Sequence, residues 1–202
     1  MTPRAFKALA FVLASVPLIK LTLDTLGVAG GSLGANPVES LLHRAGWWGL
    51  VLLLVTLAVT PARDLTGQTA LIRTRRLLGL YAFTYVLLHV VVYTVLDQRL
   101  ALGPIIEDIL QRPYITVGLG AFVLLIPLAL TSNDASRRRL KARWGKLHRL
   151  VYPIAILGVW HYWWQVKQDI AQPLIFAAAL AVLLGYRLFK RHRAKQRQSH
   201  AR

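Results

Sequence analysis

The chain has 202 residues, 55% of them hydrophobic, and a formal net charge of +17 at pH 7. A soluble domain is hard to build with that much apolar surface and that much charge of one sign, whereas a membrane protein sorts them into apolar spans and basic loops. The absence of cysteine excludes disulfides, thiolate metal sites and cysteine catalysis, and nucleic acid is set aside as a partner because the lysines and arginines lie between and beside apolar spans, where the bilayer accounts for them.

The first expected span runs from about residue 6 to 26, long enough for a retained helix rather than a cleaved signal. Lys20 and Asp24 lie four apart near its end, spaced to pair on one helical face or to snorkel outward. The following GVAGGSLGANP reads as loop. It has no GxGxxG and no preceding strand, so it offers no dinucleotide site. The second span covers about 42–60, with His43 and Arg44 at its start and Pro61 closing it. A basic loop follows with Arg63, Arg73, Arg75 and Arg76, and then a third span, 77–96, with one histidine, His89.

Residues 97–113, DQRLALGPIIEDILQRP, are too polar to cross a bilayer and read as a short helix on its surface. The fourth span, 114–130, has Pro127 near its end and leads into TSNDASRRRLKARWGK, the most basic loop. The fifth, 147–166, carries His148 and His161, and a turn, KQDIAQP, joins it to the sixth, 174–189. The basic tail 190–202 is expected to be disordered, and no internal repeat is evident. The expected fold is an all-α integral membrane bundle of six transmembrane helices. Most lysines and arginines fall on the side of the termini, leaving only Arg44, Arg99, Arg112 and Lys167 opposite, so the positive-inside rule places both termini in the cytoplasm.

With that topology, spans three and five both run outward, and position converts to depth at about 1.5 Å per residue. His89 lies twelve residues beyond Leu77 and His161 fourteen beyond Leu147, so the two imidazoles reach nearly the same depth in the outer half. A b-type haem takes an axial ligand on each face, and two imidazoles from facing helices supply them. His89 and His161 are the expected axial pair. The competing structural reading has each histidine bonding a neighbouring helix, or His161 serving in the aromatic belt of Trp160 to Trp164.

His148 has no histidine at its own depth, where the third span offers Arg75 and Arg76. Two readings stand: a ligand or support of a second cofactor near the inner face, with arginines holding propionates or a phosphate, or an interfacial residue. Thirteen residues of ideal helix leave His148 and His161 about 140° apart around the axis, an angle that a kink at Pro153 would change. The arginine cluster also has a purely topological reading. His43, His192 and His200 read as interfacial or solvated. Two other classes remain open, a small transporter and a cofactor-free membrane anchor, although neither mid-span carboxylates nor a repeated half supports the transporter.

The segments LGANPVESLLH at 33–43, LIRTRRLLGL at 71–80 with His89 following, RPYITVG at 112–118, RWGKLHRLVY at 143–152 and HYWWQVK at 161–167 closely resemble the MsrQ family, formerly YedZ, within the ferric-reductase-like transmembrane superfamily. The resemblance covers essentially the whole chain. It implies a bacterial inner-membrane subunit with haem b that takes electrons from the quinone pool or a cytoplasmic flavin reductase. It would pass them to a periplasmic molybdopterin enzyme, MsrP, which reduces methionine sulfoxide in oxidised proteins. The family's haem-associated histidines fall on His89, His148 and His161, and the family is also described as binding FMN, for which no residues are assignable. Two-haem relatives in the superfamily carry a second histidine on span three; this chain has arginine there, which puts an inner bis-histidine haem in doubt. Glu39, Glu107 and Asp108 are candidate docking residues for the periplasmic partner.

Overall fold

A computed structural model describes residues 2–166 and 170–199, all helix, turn or loop, with no strand among the described residues. The helices are α1 (Pro3–Leu26), α2 (Pro37–Thr66), α3 (Arg75–Val91), α4 (Leu102–Gln111), α5 (Pro113–Leu130), α6 (Asp134–Leu140), α7 (Ala142–Leu147), α8 (Val151–Gln165) and α9 (Ala171–Ser199). Their ends follow from local chemistry. The Thr2 hydroxyl accepts from Ala5 N and the Asn36 side chain from Glu39 N, each followed by a proline at the first helical position, where the missing N–H is not needed. Gly67, at φ 70°, closes α2 in the left-handed region that glycine enters without steric cost.

Among the described residues, five helical segments are long and apolar enough to cross a membrane: Pro3–Leu26, Pro37–Thr66, Thr69–Asp97, Pro113–Leu130 and Ala171–Ala194. The long α2 is the hub. Its Leu50, Leu53, Leu54 and Leu57 are buried against Tyr85 and Ala82 of α3, Ile154 and Ala155 of α8, and Phe176 and Leu180 of α9. Gly49 lets α2 and α3 approach so closely that a Cβ there would sit 2.7 Å from a Val86 methyl. The outward faces stay apolar, as at Phe11, Val12 and Leu13 on α1 and Val182 on α9, which suits lipid rather than water.

Several boundaries differ from the sequence expectation. Pro61 does not close the second span; it lies inside α2, which continues to Thr66. A proline in a helix leaves the carbonyl four residues earlier without its donor, and here Arg187 of α9 donates from Nη2 to that carbonyl, Leu57 O, at 2.6 Å. The third span is a composite: a 3₁₀ turn at Thr69–Thr74, α3, and a π-helical segment at Val92–Asp97. The fifth is interrupted by a 3₁₀ turn at His148–Leu150, so α8 begins at Val151 with Pro153 in its first turn and, at fifteen residues, is shorter than the five segments above. Pro153 therefore marks a helix start rather than a kink.

The basic tail is helical as far as Ser199, not disordered. KRHRAKQRQS has no glycine or proline, its lysines, arginines and glutamines favour helix, and each added residue extends a helix already nucleated in the apolar span. Lys190 also pairs with Asp64 of α2, and Arg193 lies over the Phe189 ring. Lys167, the start of the KQDIAQP turn, and His200 lie outside the described residues.

At the other end, Asp24 is buried and takes both Lys20, at 3.1 Å, and Arg44 of α2, at 2.7 Å. The Lys20–Asp24 pairing is the one its spacing suggested, and Arg44 extends it into a tie between α1 and α2. Asp24→Ala is expected to cost about 2–3 kcal/mol, because two cations lose their carboxylate. Thermal unfolding in detergent reads this, and an unchanged midpoint would contradict it.

Candidate functional site

His89 projects from the last turn of α3 and His161 from α8, and their ring centres lie 6.1 Å apart with the planes crossed at 77°. Each ring is oriented from behind. His89 Nδ1 bonds Leu42 O of α2 at 2.9 Å, and His161 Nδ1 bonds Tyr114 O of α5 at 2.7 Å. A carbonyl only accepts, so each Nδ1 carries the proton, and each Nε2 keeps its lone pair, with no hydrogen-bond partner among the described residues.

That separation fits a shared metal centre. Two metal–imidazole bonds of about 2.0 Å, taken in line, put the nitrogens about 4 Å apart and the ring centres about 6 Å apart once a half-ring is added on each side. No cluster of three or more histidine, aspartate or glutamate side chains suited to a bare metal ion occurs among the described residues. A pair of neighbouring imidazoles in an apolar bundle instead suits an ion whose remaining ligands come from a macrocycle.

The same backing arrangement occurs twice. In each case the histidine bonds the carbonyl of a residue forty-seven positions earlier in the chain, and a glycine one turn beyond that carbonyl faces the ring. A Cβ on Gly46 would lie 2.9 Å from His89 Nδ1, and one on Gly118 would lie 2.7 Å from His161 Nδ1. No other residue leaves the imidazole that space.

His148 is placed elsewhere. Its Nε2 bonds the Thr131 hydroxyl at 3.1 Å and its ring stacks on Trp144 at 3.9 Å, while Trp144 donates to Thr131 O. Arg75 is within electrostatic reach of His148, but Arg76 points to Asp134 in an exposed pair at 3.2 Å. The structure thus gathers His89 with His161, and His148 with Arg75, at two separate places.

The family described as ferric reductase like transmembrane component matches residues 45–159. A relative from Xanthomonas axonopodis pv. citri (strain 306) is 55% identical over 165 residues, which is 82% of this chain and 76% of that one. Others from Xanthomonas euvesicatoria pv. vesicatoria (strain 85-10) and Ralstonia nicotianae (strain ATCC BAA-1114 / GMI1000) are 51% and 50% identical, over 95% and 92% of this chain and 89% and 86% of theirs. Each is named protein-methionine-sulfoxide reductase heme-binding subunit MsrQ. The chain belongs to the MsrQ family. No solved structure matches it.

In this MsrQ-family chain, His89 and His161 stand at matching positions along their spans and the fold brings their rings together, while what holds the pair is not visible in their spacing. Nothing in the sequence singles out Leu42 or Tyr114, because the contribution of each is a backbone carbonyl. Gly46 and Gly118 carried a signal, since each stands forty-three residues before its histidine, but the pattern has meaning only once α2 lies on α3 and α5 on α8. His43, read as interfacial, is exposed and bonds Gln165 at 2.9 Å, linking α2 to the end of α8. Trp160 and Trp164 pack on one another at 5.0 Å and stay half-exposed, as a lipid-facing belt requires.

Proposed function

We propose that this chain is the haem b electron-transfer subunit of a methionine sulfoxide reductase system, with His89 and His161 as the axial ligands. The neighbouring imidazoles, each fixed through Nδ1 at a ring separation of 6.1 Å, carry the reading. The structural alternative, histidines that merely bond a neighbouring helix, accounts for the Nδ1 contacts but does not require the two rings to lie 6.1 Å apart, with neither Nε2 bonded among the described residues. Bound there, haem would supply one-electron transfer through the iron couple.

The chain's own part is to set that couple and shelter it. The Leu42 and Tyr114 carbonyls hold the tautomer and make each imidazole a stronger donor, which favours the oxidised iron. The apolar core around α2 excludes water. In the same proposal α8, with the turn before it, completes six crossings of the bacterial inner membrane, with both termini cytoplasmic. Electrons would enter from the quinone pool or a cytoplasmic flavin reductase and leave to periplasmic MsrP, the molybdopterin enzyme, near Glu39, Glu107 and Asp108. Support for α4 as a surface helix comes from Leu102, Ile106 and Leu110, which share one exposed face. His148, with Arg75 and Arg76, would serve an inner-face cofactor; FMN rests on family resemblance alone.

Purified protein tests the central claim. A Soret band with split low-spin visible bands on reduction is expected, and colourless protein after expression with ample haem overturns the reading. His148→Ala should retain at least about half of the haem, since His148 spends its Nε2 on Thr131 and makes no contact with the pair. A variant emptied of haem would put His148 in the ligand set.

A further inference from the structure

None of the residues of α4 is buried, so apolar packing fixes its place only weakly. Beside a bond from the Thr116 hydroxyl to Ile109 O at 2.5 Å, its ties to neighbouring elements centre on Asp108. Of the three acidic residues named for docking, Glu39 and Glu107 are exposed, whereas the Asp108 side chain is only 13% exposed and turned inward. Its Oδ2 accepts from the Tyr93 hydroxyl at 3.0 Å and from Gln98 Nε2 at 3.3 Å, and its Oδ1 pairs with Arg112 Nε at 3.2 Å.

Two of these ties lead to the histidine pair. Tyr93 stands four residues beyond His89, where α3 passes into the π-helical segment Val92–Asp97. Arg112 immediately precedes α5 and lies two residues before Tyr114, whose carbonyl accepts from His161 Nδ1. The third tie, Gln98, opens the turn to α4, in which Arg99 and Leu100 take φ values of 50° and 59°. Residues other than glycine are strained in that left-handed region and keep it only where their surroundings hold them, as the bond from Gln98 to the carboxylate does. Hydrogen bonds to a charged, largely covered carboxylate are stronger than those of an exposed pair. One side chain therefore joins the helix that carries His89 to the helix start that orients His161.

We infer that Asp108 is a positioning residue for the histidine pair: through Tyr93 and Arg112 it fixes α3 and the start of α5 relative to one another, and with them the two imidazoles. Its carboxylate is committed inside the molecule rather than offered to a partner. The consequence for haem rests on the reading of His89 and His161 as axial ligands; the placing of the rings does not.

The test uses the full chain with ¹⁵N-labelled histidine, purified in detergent without haem, because the ring nitrogen signals in NMR report how each Nδ1 is bonded. Asp108→Ala should move the His89 and His161 signals, Tyr93→Phe chiefly that of His89, and Arg112→Gln chiefly that of His161. Gln111→Ala, whose side chain bonds Glu107 on α4 itself at 2.8 Å, should leave both in place. A tie that only fastened α4 would lower Tm on removal and leave both imidazole signals unchanged. In the loaded protein Asp108→Ala should release haem to apomyoglobin about tenfold faster, and Asp108→Asn, which keeps an acceptor for Tyr93, should restore the His89 signal. The inference is overturned if the signals of either histidine in Asp108→Ala coincide with those of the wild type, or if Gln111→Ala moves them as far. Where Asp108→Ala does not fold, Tyr93→Phe and Arg112→Gln, which each remove one tie, decide by the same criterion. A wild type that takes up no haem defeats the axial-ligand reading and leaves the NMR result to decide this one.

Discussion

His89→Ala and His161→Ala are each expected to lose nearly all bound haem, read as Soret absorbance per mole of purified protein. The two rings oppose one another at 6.1 Å, and each is fixed by a single carbonyl behind it. In the proposed arrangement, removing either would take away one of the two histidines that hold the haem; of the other histidines, His148 is held by Thr131 and Trp144, and His43 by Gln165. A full haem complement in either variant would falsify the pairing. A second readout comes from the crossed planes. If His89 and His161 hold a ferric haem with their planes still crossed at 77°, its low-spin EPR signal would be strongly anisotropic. A signal typical of parallel imidazole planes would mean that the rings turn when the protein is loaded.

The next largest effect is expected at positions that contribute no functional group. A methyl at Gly46 would come within 2.9 Å of His89, and one at Gly118 within 2.7 Å of His161, on α2 and α5. Real Cβ atoms do not approach so closely, and the ring cannot retreat without giving up its bond to Leu42 O or Tyr114 O. Gly46→Ala and Gly118→Ala should therefore retain less than about a tenth of the haem, a loss of about 1.4 kcal/mol or more in binding. Gly103→Ala, on α4 with open space around its Cβ, should retain all of it. If haem content and potential in the Gly46 and Gly118 variants match the wild type, the ring positions described here are not those of the loaded protein.

The histidine pair was legible because two constraints act at once in a membrane helix. Length fixes depth, and an apolar surround makes each polar side chain conspicuous. The register of α5 was legible for the same reason: proline at its start and a charged loop at its end leave little freedom, and the observed Pro113–Leu130 differs from expectation by one residue. Two errors have a common cause. Pro61 and the basic tail were read from local propensity alone, as a stop and as disorder. In the fold, Arg187 supplies the hydrogen bond that Pro61 removes, and Lys190 finds Asp64 on α2. Long-range partners overrode the local preference in both.

By itself the sequence determined that this chain is a helical membrane bundle, and it singled out the two histidines whose rings the fold brings within 6.1 Å, because spacing and hydropathy act along the chain. Only the tertiary structure decided which carbonyls orient the imidazoles, that glycines on α2 and α5 make room for them, and that Arg187 of α9 supplies the donor that Pro61 takes from Leu57 O. Those depend on rotation about helix axes and on backbone carbonyls, and a string of residue types specifies neither until the helices have packed.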